Sequence, residues 1–277
     1  MKIWIITSGS ESLTLFKFLS KYDHEYVVYY DFFHRPYGDK TFAQSRICIE
    51  KGIEYLTKQG VDTIIVPPIY ELHYLASSIK LKTWSSNILP LFTTYLKNYC
   101  FTYSLVGKIG FFGDFVDVRE IENLVKKFAK WYALTSHQQA IKKFHFPFVC
   151  WVKETPLWKY YLNSLSYSNI LVNKIIKFDL RYFKDAMVDT LVPLNYGYFN
   201  YQTTITKFLN FKNIRFHTLE KLENIFHELV PSTEGILKNK YSVVVAYTGH
   251  VDILKREKRM IWLLQRGKSI EVEFKEV

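Results

Sequence analysis

The chain has 277 residues with 48% hydrophobic and 23% charged side chains, a globular composition with room for one large or two ordinary domains and a sizeable core. A run of 18 apolar residues is absent, so no transmembrane helix is expected. Three widely spaced cysteines offer neither a disulfide framework nor a metal-ligand spacing, so a reducing cytoplasm is expected, with no metal and no cofactor.

Met1-Lys2-Ile3-Trp4-Ile5-Ile6 is too short for a signal peptide and reads as a first strand over 2–6. Thr7-Ser8-Gly9-Ser10 is a small-residue turn, and Leu13, Phe16 and Leu19 at helical spacing follow it. That turn opens a helix with free N–H groups.

The second unit organises the chain. Tyr26-Val27-Val28-Tyr29 is β-branched and aromatic and reads as a buried strand. It feeds into Asp31, His34 and Arg35, and Pro36-Tyr37-Gly38 then forces a loop. A periodic segment from Phe42 to Leu56 predicts a helix. Asp31 and the Pro-Tyr-Gly turn thus fall where a strand ends and a helix begins, the ligand side of an open α/β sheet.

Strand 62–66 follows Gly60 and ends on Pro67-Pro68, and 70–80 has helical character. Ile88-Leu89-Pro90-Leu91-Phe92 reads as a fourth strand, and the pattern restarts at Gly107 through Asp114. Residues 119–187 mix lysines with aromatics, holding about 12 Lys/Arg against about 5 Asp/Glu. They are expected to be mainly helical and packed outside the second subdomain, with Trp131, Trp151 and Trp158 at least half buried. Leu191-Val192-Pro193-Leu194 is a strand end, Tyr241 through Tyr247 a buried strand, and Thr248-Gly249-His250 its turn. A basic helix over 252–265 and a strand over 270–274 complete the reading.

The alternation predicts an α/β fold with parallel sheets and crossover helices. The division is placed near 100–106, giving an N-terminal unit over 1–103 and a C-terminal unit over 104–277 with an insertion over about 119–187. The net charge is +11 with a pI near 9.3. The excess of Lys over Arg and the scarcity of Gly point to codon composition more than to an anionic partner.

The order of the turns resembles the aspartate/glutamate racemase family, its glutamate racemase branch in particular. Ile6 through Lys17 is similar to that family's F-D-S-G-V-G-G-L-T-V-L-K, and Asp31 through Lys40 to D-T-A-R-V-P-Y-G-E-K. Gly60 through Tyr70 resembles G-V-(x)2-L-V-I-A-C-N-T, and Gly107-Lys108-Ile109-Gly110 resembles G-R-I-G. Leu191 through Leu194 is similar to L-V-P-L, and Val243 through Leu254 to L-G-C-T-H-Y-P-L-L. The match is good over the first 72 residues and patchy beyond.

The resemblance implies two flavodoxin-like subdomains facing each other across a cleft. Asp31, Pro36 and Pro68 would stand on one wall, and Gly113, Pro193 and Thr248 on the other. It also implies two cysteines on opposite faces of a substrate α-carbon, and both are replaced here. Pro68 takes the first position, beside Ile69 and Tyr70, and Thr248 the second when His250 is aligned to the motif histidine. The acidic residue of the first motif is Thr7. Proline has no proton to exchange, and a lone threonine hydroxyl is too weak a base. Cys48 reads as a small buried hydrophobe, and Cys100 and Cys150 match no motif.

What the resemblance leaves is the binding half of the site: Ser8, Gly9, Asp31, Pro36, Tyr37, Gly38, Thr248, Gly249 and His250. Three functions are compatible with this. The first is a racemase-fold protein that no longer racemises and holds a small acidic or amino-acid-like ligand, or a protein partner or second copy. The second is an active isomerase using His250, Asp31 or His34 as acid and base. The third is a basic module whose 119–187 segment binds an anionic partner. Nucleic-acid binding is not expected, because no stacking motif is visible.

Overall fold

The computed structural model describes residues 1–9, 11–19, 21–22, 24–31, 34, 37–77, 88–113, 118–135, 148–163, 170–210, 213–230, 240–247 and 269–276. Two separate parallel sheets organise them. The first runs β3-β1-β2-β8-β9: β1 is Lys2–Thr7, β2 Glu25–Tyr30, β3 Thr63–Ile65, β8 Lys240–Tyr247 and β9 Ser269–Glu276. The second runs β5-β4-β6-β7: β4 is Lys108–Gly113, β5 Val149–Glu154, β6 Thr190–Pro193 and β7 Arg215–Phe216.

The expected two-sheet α/β architecture is present, but the sheets divide the chain differently from 1–103 and 104–277. β8 pairs with β2, with Val243 opposite Tyr26 and Tyr247 opposite Tyr30, and β9 pairs with β8. The last two strands therefore complete the first sheet. Contiguity along the chain was the wrong guide: β2 is flanked by β1 on one side only, and its other edge needs a parallel partner brought back by a long crossover.

Strands β1, β2 and β3 of the first sheet are nearly continuous apolar runs because helices cover them. Helix α1 (Glu11–Leu19) buries Leu15, Phe16, Phe18 and Leu19. Helix α2 (Phe42–Lys58) begins at a reciprocal cap in which Thr41 accepts from the Gln44 N–H and the Gln44 side chain accepts from the Thr41 N–H. Helix α3 (Pro68–Ser77) opens on its proline, which lacks only an N–H that has no intrahelical partner in a first turn. The expected strand over 88–92 is reduced to a single bridge, Ile64 to Ile88. Pro90 interrupts it and the short helix α4 (Leu91–Tyr95) follows, continuing as a wider turn over Leu96–Phe101.

Helix α5 (Val118–Thr135) precedes β5, and helices α6 (Pro156–Asn163) and α7 (Ile170–Asp185) follow it. Residues 119–187 are thus helical over three stretches, as expected, and also supply β5 as the edge strand of the second sheet. Trp158 is fully buried and Trp151 half-buried; the Trp131 side chain lies outside the described residues. Helix α8 (Gln202–Leu209) and helix α9 (Leu219–Leu229) complete the described helices.

Side-chain alternation along β4 sends neighbours to opposite faces. Phe111 joins a buried cluster that runs through Tyr95, Phe101 and Phe92 into the first sheet, whereas Phe112 packs with Trp158, Phe183 and Tyr198 on the outer face. The Phe112 and Tyr198 rings stack at 5.8 Å. The passage between the sheets is fixed by Asp189, which accepts from the Ser104 hydroxyl at 2.9 Å and the Val106 N–H at 2.7 Å.

Candidate functional site

In parallel sheets all strands end on one edge, and ligands bind in the crevice outside that edge. Here the ends of β1, β2 and β3 face the end of β6. The end of β2 carries the densest polar cluster. Asp31 is 1% exposed, and its backbone N–H donates to the Thr7 carbonyl, extending the β1–β2 ladder by one bond. The Tyr37 hydroxyl donates to Asp31 Oδ2 at 2.9 Å. The His34 N–H donates to Oδ1 at 3.0 Å, and His34 Nδ1 lies 3.0 and 3.1 Å from the two carboxylate oxygens. The Tyr37 N–H donates to Ser8 Oγ at 3.2 Å, tying the β2 loop to the β1 turn. Ser45 on α2 donates to the Tyr37 carbonyl at 2.8 Å.

Burial and the Asp31 charge set the protonation of this cluster. Burial first, then Asp31, pushes the Tyr37 phenol well above its ordinary value. The same order of causes raises Tyr29 to about 12 and moves the Cys48 thiol upward.

The resemblance had placed an acid at position 7, where this chain has threonine. Glu11, the first residue of α1, returns a carboxylate to the same place: Thr7 Oγ1 lies 2.9 Å from Glu11 Oε2. Gly9 donates its N–H to Thr7 Oγ1 at 3.2 Å.

Across the crevice stand Leu194 and Asn195. Together with Glu11, Tyr37, Pro67, Pro68 and Tyr70 they line a cavity of about 10 Å³. A single water needs roughly 10–15 Å³, so the two walls are closed on each other. Asn195 donates toward Glu11 Oε1 at 3.4 Å, and its side-chain oxygen accepts from the Gly197 N–H at 2.8 Å, capping the tight turn Tyr196–Tyr201. Gly197 lets the turn pack closely, since a Cβ there would press into the Leu162 side chain. The same turn packs on α1, where Asn200 donates to Thr14 at 2.6 Å and pairs with Lys17. Lys159 bridges to Asp39 at 2.9 Å.

Behind Pro68, helix α3 buries Glu71 completely. It accepts from the Phe92 N–H at 2.8 Å and from the Thr93 N–H and hydroxyl at 2.7 Å, and the Tyr196 hydroxyl points at it from 3.4 Å. Desolvation outweighs these four donors and raises its pKa to about 7.

The structure therefore brings together Ser8, Gly9, Asp31, His34, Tyr37 and Gly38 at the ends of β1 and β2, with Pro68 beside them. Pro36, Thr248, Gly249 and His250 lie outside the described residues. The strand leading into Thr248 is β8, hydrogen-bonded to β2 in the first sheet. Gly113 and Pro193 do not line the cavity; Gly113 is occupied by close approach of Leu194, whose Cβ would lie 2.9 Å from a Cβ placed there.

Glu11, Asn195 and the buried pair Glu71–Tyr196 were not assigned from the sequence. Asn195 had a usable signal, being the first polar residue after a strand end. Glu71 had none, because its partners Thr93 and Tyr196 are distant in the chain.

No protein-family model and no curated protein matches the chain. Solved structures do. The chain is similar to glutamate racemase isoform RacE1 of Bacillus anthracis, with 16% identity, 98% of this chain and 96% of that one covered, and a TM-score of 0.69. A Francisella tularensis glutamate racemase in complex with D-glutamate gives 17% identity, 99% and 96% coverage and a TM-score of 0.67. The enzyme of Aquifex pyrophilus gives 19% identity, 98% coverage of both chains and 0.61. The likeness runs through both sheets, and at these identities it establishes a shared fold.

Proposed function

Starting from a glutamate racemase fold, we propose that this chain holds a small amino-acid-like ligand in the crevice between its sheets and does not racemise it. The observation that carries this reading is the pair facing each other across the cavity, Pro68 against Asn195. Inverting an α-carbon takes a base on one face and an acid on the other, both within hydrogen-bond reach of the reacting proton. Proline offers no titratable group and asparagine offers an amide that is already engaged as a cap. Among the described residues, the titratable groups lining the cavity, Glu11, Tyr37 and Tyr70, all belong to the first-sheet side, as do Asp31 and His34 beside them. A one-sided set can exchange a proton but cannot invert the centre, which weighs against the isomerase reading among the described residues.

The ligand class follows from two considerations. The Francisella tularensis relative in fold is described with D-glutamate. The crevice of this chain offers Ser8, the Tyr37 turn and the Glu11 carboxylate, which suit a carboxylate and an ammonium on one small molecule. With the cavity at about 10 Å³, entry requires the walls to separate.

Proton NMR of L- and D-glutamate and L- and D-aspartate in deuterated water with the protein tests both halves at once. Saturation transfer from protein to at least one of the four is expected, with α-proton signals decaying no faster than in buffer. Loss of the α-proton 100-fold above buffer overturns the absence of catalysis, since one positioned acid/base group alone contributes ~10²–10⁴-fold. Absence of saturation transfer to all four overturns the ligand class.

A further inference from the structure

We infer that Asp31, His34 and Cys48 form a binding site for one divalent transition metal ion of the zinc type, just behind the crevice wall. The three side chains come from three elements: Asp31 from the end of β2, His34 from the loop after it, and Cys48 from α2. A carboxylate oxygen, a ring nitrogen and Sγ all lie within 4.8 Å of one another. This is the convergence that sequence spacing hid, because Asp31 and His34 are three residues apart and Cys48 arrives from the following helix.

The donor set has its own chemistry. One thiolate, one imidazole and one carboxylate are the ligand types of zinc, and three protein ligands with a fourth position open is the arrangement of reactive zinc sites rather than structural ones. Thiolate and imidazole together disfavour magnesium and calcium, which prefer oxygen alone. Around a tetrahedral zinc, nitrogen and oxygen donors stand roughly 3.3 Å apart. His34 Nδ1 and the Asp31 oxygens are at 3.0 and 3.1 Å, so the ion needs only a few tenths of an ångström of opening between them. Cys48 Sγ, which now donates to the Gln44 carbonyl at 3.3 Å, is the third donor within 4.8 Å of the other two.

The surroundings are those that hold metal ligands in place. Asp31 and Cys48 are buried, at 1% and 7% exposure, whereas the His34 side chain is 31% exposed, which leaves an entry path from solvent. The Tyr37 hydroxyl fixes the Asp31 carboxylate, the kind of outer hydrogen bond that orients a metal-binding carboxylate. Tyr37 also lines the crevice cavity, so an ion here would touch the crevice through one shared side chain.

The test is titration of the chelator-treated, tag-free protein with cobalt(II), a coloured substitute for zinc. One equivalent is expected to bind, with a thiolate-to-cobalt charge-transfer absorption and tetrahedral d–d bands that zinc then displaces. Cys48→Ser is expected to abolish the charge-transfer band, while Cys100→Ser and Cys150→Ser keep it. His34→Ala, on a partly exposed side chain, is expected to weaken binding at least 10-fold. Weak binding without the band overturns the proposal, as does a band that survives Cys48→Ser or an affinity unmoved by His34→Ala. None of these readouts depends on the ligand proposed for the crevice, so either reading can fail without the other.

Discussion

The ends of β2 and β6 face the same crevice, yet they use their polar residues in opposite ways. At the end of β2, Asp31, His34, Tyr37 and Ser8 belong to different turns and converge on one point. At the end of β6, Asn195 turns its oxygen back onto its own turn and serves as a cap. The first arrangement keeps a carboxylate buried at the cost of desolvation, which is maintained only where several donors offset it. The second satisfies the amide oxygen within its own turn. The contrast teaches that two strand ends at one crevice can put their polar residues to different structural uses.

The comparison breaks most sharply at Asp31. Asp31→Ala leaves the Tyr37 hydroxyl and the His34 ring facing an apolar gap, and removing one partner of a buried polar group of this kind costs roughly 3–5 kcal/mol. Urea unfolding should show that loss as a lower midpoint with an unchanged slope. A loss under about 1 kcal/mol, the range of ordinary surface changes, would show that the β2 cluster is no more integral than the β6 cap.

Next in size is Glu71, which lies behind Pro68. Its folded pKa of about 7 is above the ordinary carboxylate value, so the native state keeps a proton that the unfolded chain has released. Its contribution is complete below the unfolded value and is lost as pH rises through about 7. Between pH 5 and pH 9 this group alone should lower stability by about 3 kcal/mol. Glu71→Gln should flatten the decline measured by unfolding across that range; an unchanged slope would place the titration elsewhere.

The smallest effect belongs to Asn195. Asn195→Ala removes the cap on the turn at Tyr196 and should cost about 1 kcal/mol. If the β6 end is purely structural, saturation transfer to the crevice ligand should change little compared with that stability loss. A lost ligand signal in a still-folded variant would assign Asn195 to binding and soften the contrast.

Most strands were legible from their composition. Val27-Val28-Tyr29 and Ile64-Ile65 are β-branched runs bounded by turn residues, and they form β2 and β3. β5 was not, because Lys153 and Glu154 close it with charge, as suits an edge strand. The bridge at Ile88 was over-read as a strand, since an apolar run around Pro90 has the same composition as a helix start. At the crevice, Ser8, Asp31 and Tyr37 could be read because a strand end and a Pro-Tyr-Gly turn announce them. The facing wall could not: which residue opposes Pro68 depends on how the sheets are packed, and local pattern contains nothing about that. For the same reason Cys48 looked like a hydrophobe until α2 was seen to carry it to Asp31.

The return of β8 to the edge of β2 has a consequence during synthesis on the ribosome. β1 to β3 emerge early, but the edge presented by Tyr26 to Tyr30 has no partner until Lys240–Tyr247 has been made. At translation rates of about 5–20 residues per second, the nascent chain carries this aromatic, β-branched edge for on the order of ten to forty seconds. The whole second sheet is made in that interval. An unpaired apolar edge is a template for joining other chains, so slow decoding or truncation ahead of β8 should send this protein into aggregates, even though the segment removed is far from the edge in sequence.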